Sequence, residues 1–437
     1  MPESSPRPDA PRHGRLTADL KYRLLLQISQ TMSGTLDLDE ILNHLLDTIR
    51  LILDYDAAGV FVLNRQDLHP RTAERASQLI AGMAARGFDP RPADHDPMLF
   101  KGKGIIGHVI KTGETVVAPD VTLNPYYIAG RATTRSEIAV PIVLHRATIG
   151  ALNIESDALG AFNDSDIDVL AFFAEAAAVS IEKAMLHRQL LEKKRIEDQL
   201  HIAQEVQARL LPSAPPELAG YDIAGVSLPT YDIGGDYFDY FPVAAGGLGL
   251  AIADVSGKGI PAALIMATFR ALLRTYARSE SNAAQVVQQV NALLIESVGL
   301  PAFVTAVYGV LDAESGRFTY ANCGHNPPLV VRAGGRVDSL GSGGPFLGVF
   351  EKAQHESDET VLEPGDRLVL FTDGVVDTFH ADGTEFGVER LADTVSRANG
   401  VGARETLQRV VDATRGFSGS DTYQDDFTLV IVHRKRR

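Results

Sequence analysis

Aspartates recur in one half of the chain, each beside an aliphatic run. Asp236 lies in YDIGGDYFDY, Asp254 in AIADVSGKG, Asp373 in VLFTDGVVD, and the adjacent Asp425 and Asp426 in YQDDFTLVI. A carboxylate next to a buried strand projects from a rigid edge, and several such edges can converge on one cleft. Hard dications such as manganese(II) or magnesium take oxygen donors of this kind. A single Asp at a strand end is ordinarily a turn or cap residue. The weight therefore rests on the four segments together, which suggest a metal centre without proving one.

The glycine-flanked lysine of DVSGKGIPAAL raises another chemistry, a nucleotide-phosphate cradle. That motif needs Gly, four residues, Gly-Lys and then Ser or Thr. Here Gly259 follows Lys258, and Ile252 stands where the first glycine would be. The cradle is excluded, and the question becomes which elements position the aspartates.

Composition narrows the classes. A chain of 437 residues suggests two or three domains on a prior of about 150 residues each, and 41 basic against 56 acidic residues leave a net charge of −15. Such a chain lacks the positive field that phosphate contacts use, so nucleic acid is not an expected partner. Cys323 is the only cysteine, which excludes an intramolecular disulfide, a thiolate zinc cluster and an iron–sulfur cluster, and fits a reducing cytoplasm. The opening MPESSPRPDAPRHG is polar and Pro-rich without an apolar h-region. It reads as a disordered lead over 1–15 rather than a secretory signal. The most apolar helical stretch, DVLAFFAEAAAVSIEKAMLH, is interrupted by Glu175, Glu182 and Lys183, so no membrane span is expected.

In the first half, apolar spacings of three and four predict helices over Leu16 to Met32 and from an N-cap at Asp37 onward. AAGVFVLN reads as a strand, and 65–97 is polar and unassigned. KGKGIIGHVIKTGETVVAPDV gives a glycine turn, a short helix and a strand. RSEIAVPIVLHRATIGALNIESD gives a hairpin, and FNDSDIDVLAFF opens a capped helix. The order over 16–184, carried by GIIGHVIKTGETVVAPDV, SEIAVPI and IGALNIES, resembles a GAF domain, a small sensory module with a central antiparallel sheet. The resemblance implies a small-molecule or protein ligand of unstated identity. With no cysteine in this half, a thioether-linked bilin is excluded, and His108 reads as a packed helix residue rather than a haem ligand.

A helical linker follows over 185–212. Ile196, Leu200, Ala203 and Leu210 lie on an a/d-like seam that would suit a parallel two-stranded coil and hence a homodimer. Pro212 ends it, and PSAPPELAG reads as a stiff spacer before a second domain at 213–437. That domain alternates strand-like runs (YDIAGVSLP, GLGLAIADV, FVTAVYGVLD, RFTYANCG, PPLVVR, RLVLFTDG, DFTLVIVHR) with four helical patterns. Strands joined by short turns with helices between them predict an α+β chain whose second domain is an antiparallel αββα sandwich.

GGDYFDY, ADVSGKGIPAAL, ANCGHNPPLV, LEPGDRLVLFTDGVVD and DDFTLVIV, in that order after AQEVQARLLPSAPP, resemble the SpoIIE/RsbU branch of the metal-dependent PPM serine/threonine phosphatases. The resemblance implies two Mn2+ or Mg2+ ions at one end of the sandwich. Asp236 and Asp254 would bind or bridge them, with the backbone carbonyl of Val255 as a further ligand. Asp373 and the first acid of the DD pair, Asp425, with Asp426 as the close alternative, would complete the shell of the second metal. It implies in-line attack of metal-activated water on a phosphoserine or phosphothreonine, with Asp236, Asp254 and Asp373 at the catalytic centre. It also implies a cytoplasmic phosphatase acting on a phosphorylated STAS-type anti-sigma-factor antagonist. A phosphate-contacting arginine has no counterpart in LPTYDIGGD. His325 and Cys323 read as structural residues, and Lys258 as a residue of local structure or substrate charge. A competing reading is a GAF-based sensor or scaffold with an idle phosphatase domain, against which stands the full set of aspartates.

Overall fold

The computed structural model describes residues 34–63, 80–88, 103–230, 233–243, 246–298, 302–341 and 343–436. The expected lead over 1–15 and the helix from Leu16 to Met32 lie outside the described residues. The chain divides into two compact units, Met1–Arg195 and Ile196–Arg437.

The first unit is built on one antiparallel sheet. Its strands are β1 (Ala57–Leu63), β2 (Ile80–Arg86), β3 (Val116–Ala118), β4 (Ser136–Leu144) and β5 (Ala147–Ser156), in the order β2-β1-β5-β4-β3. Helix α1 (Leu38–Arg50) starts where Asp37 accepts the N–H groups of Asp39 and Glu40. It packs its leucines with the start of the long helix α3 (Asp164–Ala208) on one sheet face. The shorter α2 (Gly104–Thr112) covers the other face through Ile105 and Val109. His108 on α2 stacks on Tyr126 at 3.8 Å between ring centroids. Asn163 caps α3, accepting the Ser165 N–H at 2.8 Å while its own N–H reaches Asp166 Oδ2 at 2.8 Å. The β4–β5 hairpin turns on His145 and Arg146, both at positive φ (49° and 66°), where Asn and Gly are the usual occupants.

The second unit contains two five-stranded antiparallel sheets. The first holds β7 (Tyr237–Pro242), β8 (Leu248–Val255), β9 (Val304–Leu311), β10 (Arg317–Cys323) and β13 (Asp358–Val361), in the order β13-β10-β9-β8-β7. The second holds β6 (Tyr221–Leu228), β11 (Leu329–Val331), β12 (Val337–Ser339), β14 (Arg367–Phe371) and β15 (Phe427–Arg434), in the order β12-β11-β14-β15-β6. Ile252, Val307 and Phe318 of one sheet meet Leu368, Leu370 and Val430 of the other in the layer between them. Alternate residues of the same strands face outward and are covered by helices. On the first sheet the cover is α4 (Ile260–Tyr276) and α5 (Ala283–Val298), packed through Met266, Phe269 and Val290. On the second it is α7 (Gly387–Arg397) and α8 (Ala403–Ser418), packed through Leu391, Val395 and Val410. This is the expected αββα sandwich. Asp239 is buried within it, held by Arg274 at 2.6 Å and by the Tyr237 hydroxyl at 2.5 Å. Among the described residues no helix is long and apolar enough to cross a membrane.

Candidate metal centre

Register places the aspartates at one end of the sandwich. Tyr237 on β7 pairs with Ala253 on β8, so Asp236 and Asp254 form the next position outward on adjacent strands. Asp373 opens the one-turn helix α6 (Asp373–Val376) directly after β14, and Asp425 and Asp426 precede β15, the neighbour of β14. All the acids read from the sequence therefore come from strand ends at the same end of the sandwich, two from the first sheet and three from the second.

Backbone freedom at a few glycines permits this crowding. Gly257 and Gly259 both have positive φ (95° and 75°), turning the chain from β8 into α4, with Pro261 in the first helical turn. A Cβ on Gly235 would stand 2.8 Å from the Val255 carbonyl oxygen, so that carbonyl faces the loop carrying Asp236. A Cβ on Gly374 would collide with the Asp426 backbone.

The electrostatics show uncompensated negative charge. Asp236 is buried, and its carboxyl is held well above the usual carboxylate range, first by burial and then by Asp254. One of its oxygens accepts the Thr372 hydroxyl at 2.8 Å. Asp254 is pushed up to about 7 by burial, then by Asp373, Asp425 and Asp426, with Lys258 opposing. Asp373 is raised by burial and by Asp425 and Asp377, against the Gly374 N–H and Lys258. Mutual repulsion in a partly dry site is the condition that a bound cation relieves. Among the described residues, no three acidic or imidazole side chains form a closed cation cage. The donor set of carboxylates with a backbone carbonyl thus suits hard dications by its chemistry and charge rather than by a preformed shell.

The two adjacent acids behave differently. Asp426 is committed to the backbone, its Oδ1 accepting the Thr230 N–H at 2.8 Å and its Oδ2 the Gly235 N–H at 2.9 Å. Asp425 faces Lys258, whose ammonium lies 2.9 Å from its Oδ1, with both side chains nearly half exposed. Lys258 also donates to the Gln424 carbonyl at 3.4 Å, which fits the local role read from the sequence. His325 is buried between Thr305 Oγ1 at 2.8 Å and the Phe371 carbonyl at 3.1 Å. Burial pulls its imidazole down to about 4, and both ring nitrogens have partners in the core. Cys323 is buried and its thiol is pushed up by burial, as befits an inert core residue.

One contact escaped the sequence reading. Gln207, in the last turn of α3, holds Gly234, two residues before Asp236, through both amide atoms. No spacing rule links residues this far apart, and a lone Gln in a charged helix carries no signal.

Comparison with known proteins agrees with this architecture. Residues 244–435 match the family described as Stage II sporulation protein E (SpoIIE), and residues 35–182 match the GAF domain. Phosphoserine phosphatase RsbU of Bacillus subtilis is 29% identical over 246 residues, covering 56% of this chain and 72% of that protein. Protein IcfG of Synechocystis sp. is 28% identical over 263 residues, covering 54% of this chain but only 41% of its own length. Among solved structures, the SiaA-PP2C domain of Pseudomonas aeruginosa superimposes with a TM-score of 0.51 at 22% identity, covering 56% of this chain and 99% of that one; this likeness bears on the fold. Residues 35–182 thus match a GAF domain and residues 244–435 a SpoIIE-type domain, in the order that the sequence predicts.

Proposed function

We propose that this protein is a metal-dependent protein-serine/threonine phosphatase whose GAF domain regulates its PPM domain. The observation that carries the reading is the convergence of Asp236, Asp254 and Asp373 at one end of the sandwich, each raised by burial and then by its neighbours' charge. Two Mn2+ or Mg2+ ions, held by Asp236, Asp254, the Val255 carbonyl, Asp373 and Asp425, would neutralise phosphoryl oxygens and acidify water for in-line attack. The chain's own contributions are positional. Thr372 orients the Asp236 carboxylate, Asp426 holds the backbone N–H groups of Thr230 and Gly235, and Lys258 holds Asp425 at the rim.

The substrate in this reading is a phosphorylated STAS-domain antagonist of an anti-sigma factor, in keeping with the relative named phosphoserine phosphatase RsbU. The protein acts in the cytoplasm. The partition is a lead over 1–15, a sensor over 16–184 with a small-molecule or protein ligand, a helical linker over 185–212 and a catalytic domain over 213–437. A homodimer through α3 is supported by Leu186, Leu190 and Ile196, which are exposed by 58%, 63% and 53%.

The test is phosphate release from a serine-phosphorylated STAS protein by the full chain, with and without Mn2+, beside Asp373→Ala. Metal-dependent release that disappears in the variant is expected. Release indifferent to chelation, or retained in Asp373→Ala, overturns the reading. Silence from the full chain and from a chain starting near Ala203 favours the scaffold.

A further inference from the structure

We infer that Arg415 and Thr230 form a subsite, beside the acidic centre, for a carboxylate side chain that neighbours the phosphoserine of the protein substrate. This rests on the reading of the chain as a protein phosphatase and adds what selects its substrate. A cleft of about 560 Å3 is lined by Thr230 just after β6, by Arg415 in the last turn of α8, and by Thr422 and Tyr423 ahead of β15. Two donors on its walls are buried without a partner, the Arg415 Nε–H and the Thr230 hydroxyl. Buried donors left unpaired are costly, and each calls for an acceptor. Arg274, Arg332, Arg397 and Arg409 of the same unit are all paired with carboxylates. Arg415 has no such pair among the described residues, since Asp421 lines the cleft without making an ion pair to it.

The arginine is held ready. Its guanidinium carbon lies 6.0 Å from the centre of the Tyr423 ring, a cation–π contact. The ring is fixed in turn, its hydroxyl 3.1 Å from Thr414 Oγ1 and its face stacked on Phe427 of β15 at 4.5 Å between centroids. A guanidinium fork so fixed suits the two oxygens of a carboxylate, and a hydroxyl beside it supplies a further donor. The place of the cleft follows from the chain. Tyr423 stands two residues before Asp425, at most about 7 Å along an extended backbone, and the Thr230 N–H is bound by Asp426 at 2.8 Å. A smaller cavity of about 240 Å3 shares Thr422 and Tyr423 and reaches Gln424, the residue before Asp425. A substrate segment with its phosphoserine at the acids therefore lays a nearby side chain into the cleft. Against a net charge of −15, this local cation favours an acidic neighbour over a neutral one.

The experiment uses the full chain in saturating Mn2+ with two synthetic peptides, a phosphoserine flanked by aspartates and the same flanked by asparagines, beside p-nitrophenyl phosphate. Wild type, Arg415→Met and Thr230→Val are compared by kcat/KM, with melting followed by calorimetry. Wild type should favour the aspartate peptide by about ten-fold, the worth of one charge-assisted contact, and the difference should lie in KM rather than kcat. Arg415→Met should bring that ratio close to one. Thr230→Val, which keeps the N–H to Asp426 and removes only the hydroxyl, should lower it in part. A preference that survives in Arg415→Met overturns the proposal, as does equal hydrolysis of the two peptides by wild type. The readout is a ratio within one variant, so a general loss of activity or stability does not imitate it. If Arg415→Met does not fold, Thr230→Val decides: a lowered ratio upholds the subsite and an unchanged one overturns it. No phosphate released by wild type from any of the three substrates overturns the underlying reading instead.

Discussion

Replacing Asp426 and Asp425 separately by alanine distinguishes a structural acid from a metal-facing one. The Asp426 carboxylate accepts two backbone N–H groups, from Thr230 and Gly235, at 2.8 and 2.9 Å. Hydrogen bonds to a charged acceptor contribute about 1.5–3 kcal/mol each. Water reaches part of this half-buried loop, so Asp426→Ala should cost about 2–4 kcal/mol, allowing for that recovery. For a domain of this size the loss lowers the melting temperature by roughly 5–15 °C. Asp425 has a half-exposed contact to Lys258 at 2.9 Å and accepts the neighbouring Asp426 N–H at 2.9 Å through the same oxygen; the exposed ion pair is worth about 0–1 kcal/mol. Removing its charge also relieves repulsion on Asp254 and Asp373. Asp425→Ala should therefore melt within a few degrees of wild type yet bind Mn2+ more weakly. Calorimetry of both variants in chelator, followed by a Mn2+ titration, reads the two effects apart. If Asp426→Ala melts like wild type while Asp425→Ala unfolds early, the assignment of the two acids is reversed and the reasoning fails.

Two further outcomes follow from buried charge elsewhere. Glu137 is pushed up to about 8 by burial and then by Glu155, with the Asn153 amide opposing. Its folded pKa lies above its unfolded value, so the native state binds the extra proton and stability falls as pH rises from about 4.5 to 8; Glu137→Gln should flatten that slope and add up to about 3 kcal/mol at pH 7, and urea unfolding with no such gain would refute it. Arg274→Met leaves the Asp239 carboxylate buried with the Tyr237 hydroxyl but without its cation, and should cost about 3 kcal/mol; chemical denaturation within experimental error of wild type would show the pair to be dispensable.

The sandwich was legible because its strands are aliphatic runs bounded by turn residues, and Gly257 and Gly259 marked the turn into α4 by the conformation they alone adopt easily. The acids could be found because each sits beside such a run. Their division of labour could not, since Asp425 and Asp426 are neighbours and only the third dimension shows which one meets Thr230 and Gly235. Strand β2, IAGMAAR, was hidden by its Ala and Gly content, which mimics a loop or a helix rather than an alternating strand. Strand β7 was masked by its own chemistry, as YFDYFP drew attention for Asp236 while its aromatic alternation went unread. The turn at His145–Arg146 uses residues that carry no left-handed preference, so the strands on either side, rather than the turn, revealed the hairpin.

Burial of Cys323 has a practical consequence. The chain contains no tryptophan and no other cysteine, and this one thiol is enclosed in the core of the sandwich. The protein is thus blank to tryptophan emission, and its one native thiol is closed to labelling reagents. One cysteine introduced at Asp198, on the exposed flank of α3, would be the sole accessible labelling point, and a nitroxide there would report by dipolar coupling whether two copies lie side by side. A single tryptophan placed near Gly234 would likewise report movement of that loop without competing emission from the same residue type.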